Sequence, residues 1–285
     1  MPTVSYEFFP PKSLEASFRL WDTIHALKHT EPTFVSVTYG AGGTTRQLTH
    51  EAVETIGAHT GINVAAHLTC VDATRAETLE IADRYAKAGV TKIVALRGDP
   101  QGDTTFSAHP DGFASSEELV AALAQTGRFE IAVGAYPDPH PEAADPDGDV
   151  TWLKRKIDAG ATSAITQFFF DADTFFRFRD RCVAAGIEAP ILPGILPIES
   201  WSGVQRFAAR CGTPIPERVA QSFEIAERDG RTELLALAHA TALCTQLLEG
   251  GVDHLHFYTL NKPGLTRDVV HALGLAPDTA LAEVA

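Results

Sequence analysis

The sequence predicts an α/β protein, a single (β/α)8 (TIM) barrel domain over residues 1–285 with an additional helix before the last strand. Eight short runs rich in β-branched and aromatic residues alternate with stretches whose apolar residues recur at helical spacing. The first seven runs start 27 to 38 residues apart, the length of a strand, a loop and a crossover helix. At 285 residues the chain is slightly longer than the ~250 residues typical of such barrels.

The eight predicted strands span most of the chain. They are rich in Val, Ile, Phe and Tyr, which favour extended backbone. In chain order they are VSYEFF from residue 4, FVSVTY from 34, NVAAHLTC from 63, KIVALRG from 92, EIAVGAYP from 130, SAITQFFF from 163, PILPGIL from 190 and HLHFYTL from 254.

The segments between the strands carry helix signals. Thr74 is a suitable N-cap, and Gly89 follows the end of the helix that Thr74 begins. The 64 residues between Pro190 and His254 leave room for the additional helix around 217–229, before a helix at 231–249. The other helices predicted in this way are 74–88, 149–160 and 171–186.

An open doubly wound sheet is the structural alternative. Such a fold commonly binds a dinucleotide through a GxGxxG turn, and the segment GAGGTT at 40–45 lacks that spacing. The same segment also lacks the lysine of a phosphate-binding P-loop. No linker or low-complexity segment interrupts the series, so the closed barrel is favoured.

Composition narrows the class of protein. The net charge of −14 argues against nucleic acid and anionic membrane surfaces as partners, because both need clustered Lys and Arg. The four cysteines are far apart, without a CxxC pair, which indicates buried thiols rather than disulfides or structural zinc. No run approaches the ~18 apolar residues of a membrane span, so a soluble cytoplasmic protein is expected.

Polar residues collect where the predicted strands end. In (β/α)8 barrels the active site lies at the C-terminal ends of the strands, so this asymmetry predicts an enzyme or a small-molecule binder. The residues at that end are Glu7, Thr38, Tyr39, His67, Thr69, Arg97, Asp99, Tyr136, His140, Gln167, Tyr258, Asn261 and Lys262.

Each of these features also has a simpler structural interpretation. Glu7 could pair with a neighbouring strand, and LRGD at 96–99 could be an internal Arg–Asp pair followed by a turn. His254 and His256 share one face of a strand and could bind a metal, but without a third and fourth ligand hydrogen-bonded histidines are favoured. The basic run LKRK at 153–156 is either a solvated helix face or a phosphate site. These residues predict a cofactor enzyme without naming the cofactor.

Eight motifs resemble the catalytic domain of bacterial methylenetetrahydrofolate reductases. They occur in the family's order, cover essentially the whole chain, and fit the short bacterial form without the regulatory domain of the eukaryotic enzymes. The motifs are EFFPPK at 7–12, VTYGAGG at 37–43, LRGDP at 96–100, AYPDPHPEA at 135–143, LKRKIDAGA at 153–161, ITQFFFD at 165–171, PGILPI at 193–198 and HFYTLNK at 256–262.

The resemblance implies a flavoprotein of one-carbon metabolism and methionine biosynthesis. Such an enzyme holds FAD and passes a hydride from NADH or NADPH to 5,10-methylenetetrahydrofolate, giving 5-methyltetrahydrofolate. The implied partners are the folate, the nicotinamide coenzyme and further copies of the chain in a homo-oligomer, with no metal. The implied FAD and nicotinamide contacts are Thr38, Tyr39, Ala41, His67, Arg97, Gly98, Asp99, Phe113, Ala114, Tyr136, His140, Ala143, Asp149, Trp152, Arg155 and Lys156.

The resemblance also implies roles in catalysis. Glu7 would be the general acid that opens the imidazolidine ring, and Asp99 would stabilise the positive charge that develops. Gln167 would bind the pterin in one half-reaction and meet the nicotinamide in the other, which implies ping-pong kinetics. Phe207 would pack against both in turn, and Lys262 would contact the folate. We expect the apolar neighbours of Glu7 to raise its pKa and keep it protonated near neutral pH.

Three residues depart from the family pattern. Gly203 stands in place of a glutamine that contacts folate, Lys262 in place of an arginine, and Trp152 in place of an asparagine beside FAD. Three alternative functions remain. The first is a flavin-independent folate reductase with direct hydride transfer, and the second is a metal-dependent barrel hydrolase using His254 and His256. A folate-binding protein without activity is a third.

Overall fold

The computed structural model describes residues 1–39, 45–100, 106–140 and 146–277, which contain nine strands and ten helices. The strands are β1 (Thr3–Phe8), β2 (Phe34–Val37), β3 (Val64–Thr69), β4 (Lys92–Leu96), β5 (Glu130–Ala135), β6 (Ser163–Thr166), β7 (Ile191–Leu192), β8 (Gly194–Ile195) and β9 (His254–Tyr258). The helices are α1 (Leu14–Lys28), α2 (Arg46–Thr60), α3 (Arg75–Lys87), α4 (Ser116–Gln125), α5 (Pro146–Asp158), α6 (Ala172–Ala184), α7 (Trp201–Cys211), α8 (Glu217–Arg228), α9 (Thr232–Glu249) and α10 (Gly264–Ala272).

The strands form one parallel sheet in the order β7-β6-β5-β4-β3-β2-β1-β9-β8. The two outermost segments belong to one run of chain interrupted at Pro193, which lacks the N–H that a strand interior requires. β7 pairs with β6 and β8 pairs with β9, while the carbonyl of Pro193 accepts a hydrogen bond from the His256 N–H at 3.0 Å. The sheet therefore closes, and the predicted (β/α)8 barrel is confirmed.

The helix boundaries follow the capping signals of the sequence. Thr74 forms a capping box with Glu77, which satisfies N–H groups at the start of α3. The additional helix predicted around 217–229 is α8. The sequence analysis did not identify α7, which is the next element after β8.

The helices pack around the barrel through two large apolar clusters, one on the β1, β2 and β9 side and one on the β4 and β5 side. A smaller cluster fills the barrel interior, where Phe34, Ala65, Val94, Ala132 and Ile165 face one another. No helix within the described ranges is long and apolar enough to cross a membrane.

Candidate active site

A cavity lies at the C-terminal ends of the strands. Its volume is about 850 Å³, counted with the open space at its mouth, which suits a small organic ligand or cofactor. The wall is mainly aliphatic and aromatic, with a few groups that hydrogen-bond or titrate. The residues that line it are Glu7, Phe8, Phe9, His67, Val94, Leu96, Gly134, Ala135, Tyr136, Ile165, Gln167, Phe168, Phe207, Tyr258 and Leu260.

Glu7 is the one carboxylate among these lining residues. It lies near the end of β1, and its Oε2 is 3.2 Å from Nε2 of His67 and 3.7 Å from Nε2 of His256. The Ser36 hydroxyl lies 3.5 Å from the same oxygen. The carboxylate is therefore held between two imidazoles that come from different sides of the barrel.

The expectation that Glu7 has a raised pKa and is protonated near neutral pH is wrong. Burial alone raises the pKa of the carboxyl, but electrostatic interactions with the two neighbouring imidazoles, His67 and His256, outweigh burial and lower the pKa to about 2. The sequence-based expectation considered the apolar neighbours along the strand and left out the two imidazoles. The resting group is a carboxylate.

The apolar neighbours of Glu7 along the chain are also arranged differently from the expectation. Phe8 is fully buried in the cluster between the sheet and the helices, as strand alternation requires of a residue next to an inward-facing one. Phe9 is 41% exposed at the mouth of the cavity. Asn261 fixes this segment, because its side chain accepts from the Phe9 N–H and donates to the Phe9 carbonyl, both at 2.9 Å.

Gln167 and Phe207 also line the cavity; Gln167 follows β6, and Phe207 lies in α7. The Gln167 N–H bonds to the Ala135 carbonyl at 2.8 Å, while its side-chain Oε1 accepts from the Phe168 N–H at 3.0 Å. Phe207 stacks on Phe168 with centroids 5.4 Å apart. The amide and the ring are thus presented to one cavity, as a shared binding site requires.

A sequence profile of methylenetetrahydrofolate reductases matches residues 1–274. The chain belongs to the methylenetetrahydrofolate reductase family. It is 44% identical over 279 residues to the 5,10-methylenetetrahydrofolate reductase of Pectobacterium carotovorum subsp. carotovorum, covering 97% of this chain and 92% of that protein. The Escherichia coli K12 enzyme of the same name is 45% identical over 276 residues, with 96% and 91% covered. The predicted family and enzyme class, an oxidoreductase, are confirmed.

The plant relative in Arabidopsis thaliana, methylenetetrahydrofolate reductase (NADH) 1, is 33% identical over 290 residues, and the match covers 97% of this chain but 49% of the plant protein. Among solved structures, a Clostridium thermocellum protein described as binding two copies of 5-methyl-5,6,7,8-tetrahydrofolic acid has a TM-score of 0.61 at 14% identity. The match covers 97% of this chain and 94% of that one. At that identity the structural likeness supports the barrel fold alone.

In this member of the methylenetetrahydrofolate reductase family, the Arg–Gly–Asp turn follows β4. Gly98 has φ +84°, and a Cβ there would lie 2.6 Å from the Val71 side chain, so the turn requires glycine. The Arg97 carbonyl accepts from the Val71 N–H at 3.0 Å, and the Arg97 guanidinium lies 4.7 Å from the centre of the Phe106 ring. The turn carries the exposed Asp99 past the end of the strand.

Tyr136 and His140, two of the predicted cofactor contacts, lie against each other. Their rings meet edge to face at 4.7 Å, and the His140 N–H donates to Asp149 at 2.8 Å. Burial and the nearby charge of Asp99 raise the pKa of Tyr136 to about 12, so its phenol stays protonated and can donate. Tyr136, Asp99 and Asp149 are thereby brought to one region.

Helix α5 points two of the three basic residues of the LKRK motif, Lys156 and Arg155, in different directions. Lys156 is buried, donates to the Gly134 carbonyl, and has a pKa lowered by burial to about 8. Arg155 instead lies on the exposed side, 2.6 Å from Glu117 and stacked on the Trp152 ring at 4.2 Å. Successive helical residues point about 100° apart, which explains this division.

The end of β2 in the reductase is held by α2. The Thr38 carbonyl accepts from the Thr49 hydroxyl at 2.8 Å, and the Tyr39 hydroxyl lies 2.5 Å from Nε2 of His50. Burial, the largest effect, raises the pKa of Tyr39 to about 12. The two predicted cofactor contacts at this strand end, Thr38 and Tyr39, are therefore fixed in place by one helix.

Other predicted site residues of the reductase lie outside the cavity lining. Phe113 is fully buried in the cluster beside β4 and β5, with Arg75 4.6 Å from its ring centre. The Ala114 N–H donates to Glu118 at 3.2 Å. Lys262 is exposed and lies 3.3 Å from Glu199. Ala41 and Ala143 fall outside the described residues.

Sequence reasoning missed two hydroxyls near Glu7 in the barrel interior, Ser36 and Ser5. Both are fully buried. Strand alternation could have identified them as inward-facing residues, because residues two apart on a strand share a face. Ser5 and Glu7 share a face of β1, which would have placed Ser5 beside His254 and His256. The favoured interpretation of these histidines as hydrogen-bonded groups is confirmed by their contacts with Ser5, each 2.7 Å. Within the described ranges no group of three or more residues is arranged to hold a metal ion.

Proposed function

We propose that this chain reduces 5,10-methylenetetrahydrofolate to 5-methyltetrahydrofolate, with NADH or NADPH as hydride donor and FAD as the cofactor. The observation that carries the proposal is a single carboxylate, Glu7, in an aromatic cavity shared with Gln167 and Phe207. A flat pterin ring suits such walls, and a proton donor beside it suits the opening of a saturated ring. Membership of the reductase family and its full-length relatives support the same reaction.

The chain offers groups that fit FAD. Thr69 Oγ1 is buried and lacks a hydrogen-bond partner among the described residues, as expected of a group that completes its bonding with a ligand. Gly98 lets the turn after β4 pack closely against Val71 and Thr69. Lys156 and Arg155 are the cations suited to its pyrophosphate. When bound, FAD would take a hydride from the nicotinamide and deliver it to the folate carbon.

Glu7 would supply the proton for opening the folate ring. Its resting form is the carboxylate, so it must acquire a proton before it can act. A folate that enters the cavity removes the remaining water around Glu7, which favours the neutral carboxylic acid. Glu7 then holds the proton at the position where the ring nitrogen needs it, and Asp99 stabilises the cation that ring opening produces.

Gln167 and Phe207 would bind the two substrates in turn. The amide has donor and acceptor atoms for the edge of a pterin or a nicotinamide carboxamide. The ring of Phe207, stacked on Phe168, offers a flat surface to either. One site that serves both substrates predicts a ping-pong sequence, in which the oxidised coenzyme leaves before the folate enters.

The test is to purify the protein with its flavin and follow each half-reaction by anaerobic stopped flow with NADH and with NADPH. We expect flavin bleaching by one of the nicotinamides and recovery of flavin absorbance on mixing with 5,10-methylenetetrahydrofolate, with 5-methyltetrahydrofolate as product. Protein that binds no FAD yet oxidises NADH with the folate would establish direct hydride transfer. Protein that binds the folate without either half-reaction would refute the proposed enzyme.

A further inference from the structure

Helix α7 carries Phe207 to the cavity and is held at two points by aromatic side chains. Trp201, the first residue of the helix, stacks on Phe223 of α8, with ring centroids 5.1 Å and planes 16° apart. Phe207, further along α7, stacks on Phe168 with centroids 5.4 Å and planes 16° apart. Phe168 directly follows Gln167 in the chain. The position of α7 therefore depends on α8 at one end and on the segment after β6 at the other.

His239 of α9 connects these two contacts from behind the cavity wall. Its imidazole meets the Phe223 ring edge to face, with centroids 5.8 Å apart, and hydrogen-bonds to the Phe170 backbone. The Phe170 ring in turn meets the Phe168 ring edge to face at 5.7 Å. The contacts thus form one closed aromatic series, which leaves α7 at its first residue and returns to it at the cavity.

The aromatic series is tightly packed. Trp201, Phe168, Phe170 and Phe223 are at most 4% exposed and belong to one apolar cluster. Stacked and edge-to-face contacts fix the orientation of each ring, and a close-packed interior leaves little room for one ring to move alone. A displacement at one member is therefore passed along the series to the cavity.

His239 is the polar member of the series. Burial, the largest effect, lowers the pKa of its imidazole, and the nearby charge of Arg218 lowers it further, against the smaller effect of Asp171. The neutral ring carries a single N–H, which the hydrogen bond to the Phe170 backbone uses. His239 thus ties the series to the backbone with its only donor.

The backbone that His239 holds is the segment that presents Gln167. The Gln167 N–H is bonded to the Ala135 carbonyl at 2.8 Å, and the segment ends where Asp171 accepts from the Thr174 N–H at 2.9 Å to cap α6. The hydrogen bond from His239 reaches this segment between those two anchors, three residues after Gln167. It therefore acts on the part of the cavity wall that sheet pairing and helix capping leave unsupported.

We infer that His239 is a positioning residue that sets the separation of Gln167 and Phe207, and thereby the affinity of the cavity for the flat rings of both substrates. The inference rests on the proposed function, in which the pterin and the nicotinamide bind in turn against these two side chains. His239 is not among the residues that line the cavity, so it acts through Phe170 and Phe168. A misplacement of about 1 Å by a residue far from the chemistry can cost 10²-fold in rate.

The experiment measures the substrate-concentration dependence of each half-reaction in flavin-loaded protein by anaerobic stopped flow, which separates substrate affinity from the limiting rate. His239→Leu removes the N–H and the aromatic ring. His239→Asn and His239→Gln each keep an N–H donor, one at the reach of each ring nitrogen. Cys244→Ala is the matched control, because Cys244 is a fully buried residue of the same helix that packs in a different cluster. Melting temperature and FAD affinity are measured for every variant.

We expect His239→Leu to raise the dissociation constants of the folate and of the reducing nicotinamide about tenfold each, with smaller changes in the limiting rates. At least one of the two amide variants should restore both constants to within about threefold of wild type. FAD affinity should be unchanged, since Thr69 and Lys156, which we propose for FAD, lie on β3 and α5. Cys244→Ala should lower the melting temperature without changing either dissociation constant.

Unchanged dissociation constants in His239→Leu would overturn the positioning role. An equal rise in Cys244→Ala would also overturn it, because a general loss of stability would then explain the effect. Weaker FAD binding by His239→Leu with unaltered substrate affinity would place the residue on the cofactor instead. Wild-type protein that shows neither half-reaction would refute the proposed function itself.

Discussion

Oε2 of Glu7 lies 3.2 Å from Nε2 of His67 inside the barrel, although strand β2 separates the strands that carry them. The inward alternation of residues on each strand brings the two side chains together across the curved sheet. The contact makes Glu7 a carboxylate at rest, and it couples the proposed acid to a residue that the family pattern assigns to the cofactor. The pair therefore joins the proposed acid to a proposed cofactor contact.

The lowered pKa of Glu7 predicts a contribution to the pH dependence of stability. Folding lowers this pKa from 4.5 to about 2, so ionised Glu7 stabilises the native state above pH 4.5, and this contribution is lost as pH falls towards 2. Glu7→Gln should therefore weaken the dependence of the unfolding free energy on pH in that range. Urea unfolding at several pH values measures it.

The control for this prediction is Glu15→Gln, an exposed glutamate paired with Arg19 on the surface of α1. Surface pairs of this kind contribute at most about 1 kcal/mol, so the variant should keep the acid dependence of wild type. Identical pH profiles for Glu7→Gln and wild type would contradict the account of the buried carboxylate.

Closure of the barrel depends on Gly194. A Cβ at this position would lie 2.2 Å from the Thr166 carbonyl oxygen and 2.5 Å from the Tyr258 ring. Gly194→Ala should lower the free energy of unfolding by about 3 kcal/mol, since the backbone and an interior ring cannot both yield. Gly264→Ala is the control, because a Cβ at Gly264 would have no neighbouring atom within 4 Å. This variant should leave the free energy of unfolding in urea nearly unchanged. Equal stabilities of the two variants would be inconsistent with this crowding.

Asn261 should matter for both stability and substrate binding. Its side chain makes two hydrogen bonds to the backbone of Phe9, and its φ of 55° is a conformation that asparagine tolerates better than alanine. Asn261→Ala should cost about 2 kcal/mol in unfolding free energy and raise the KM for folate, because Phe9 lines the cavity. Asn63→Ala, which loses one exposed bond to Thr33, should change neither quantity appreciably. An unchanged KM in Asn261→Ala would contradict the positioning role.

Lys156 and Arg155 should differ in their effect on FAD. Lys156 is buried beneath the cavity wall at Gly134, whereas Arg155 is exposed and already paired with Glu117. Lys156→Met should weaken FAD binding by about tenfold or more, measured by fluorescence titration of the apoprotein, and Arg155→Met should weaken it less. The reverse order would show that the exposed residue carries the contact.

The sequence predicted all eight strand positions of the barrel, because alternating strand and helix patterns repeat at a steady interval. It did not predict the interruption of the seventh strand at Pro193, nor the helix α7, although the apolar residues of α7 do recur at helical spacing. The residues at the strand ends were also predictable. Their partners were not, since the contacts of Glu7 with His67 and His256 arise only when the sheet closes.

The proposed acid is tested most directly by the two half-reactions of flavin-loaded Glu7→Gln. Glutamine keeps the size of the side chain and removes the proton donor, so transfer from NADH to the flavin should stay within about twofold of wild type. Reoxidation by 5,10-methylenetetrahydrofolate should fall by about 10² to 10⁴, the range of general acid catalysis. Equal loss in both half-reactions, or folate reduction at the wild-type rate, would contradict the assignment of Glu7.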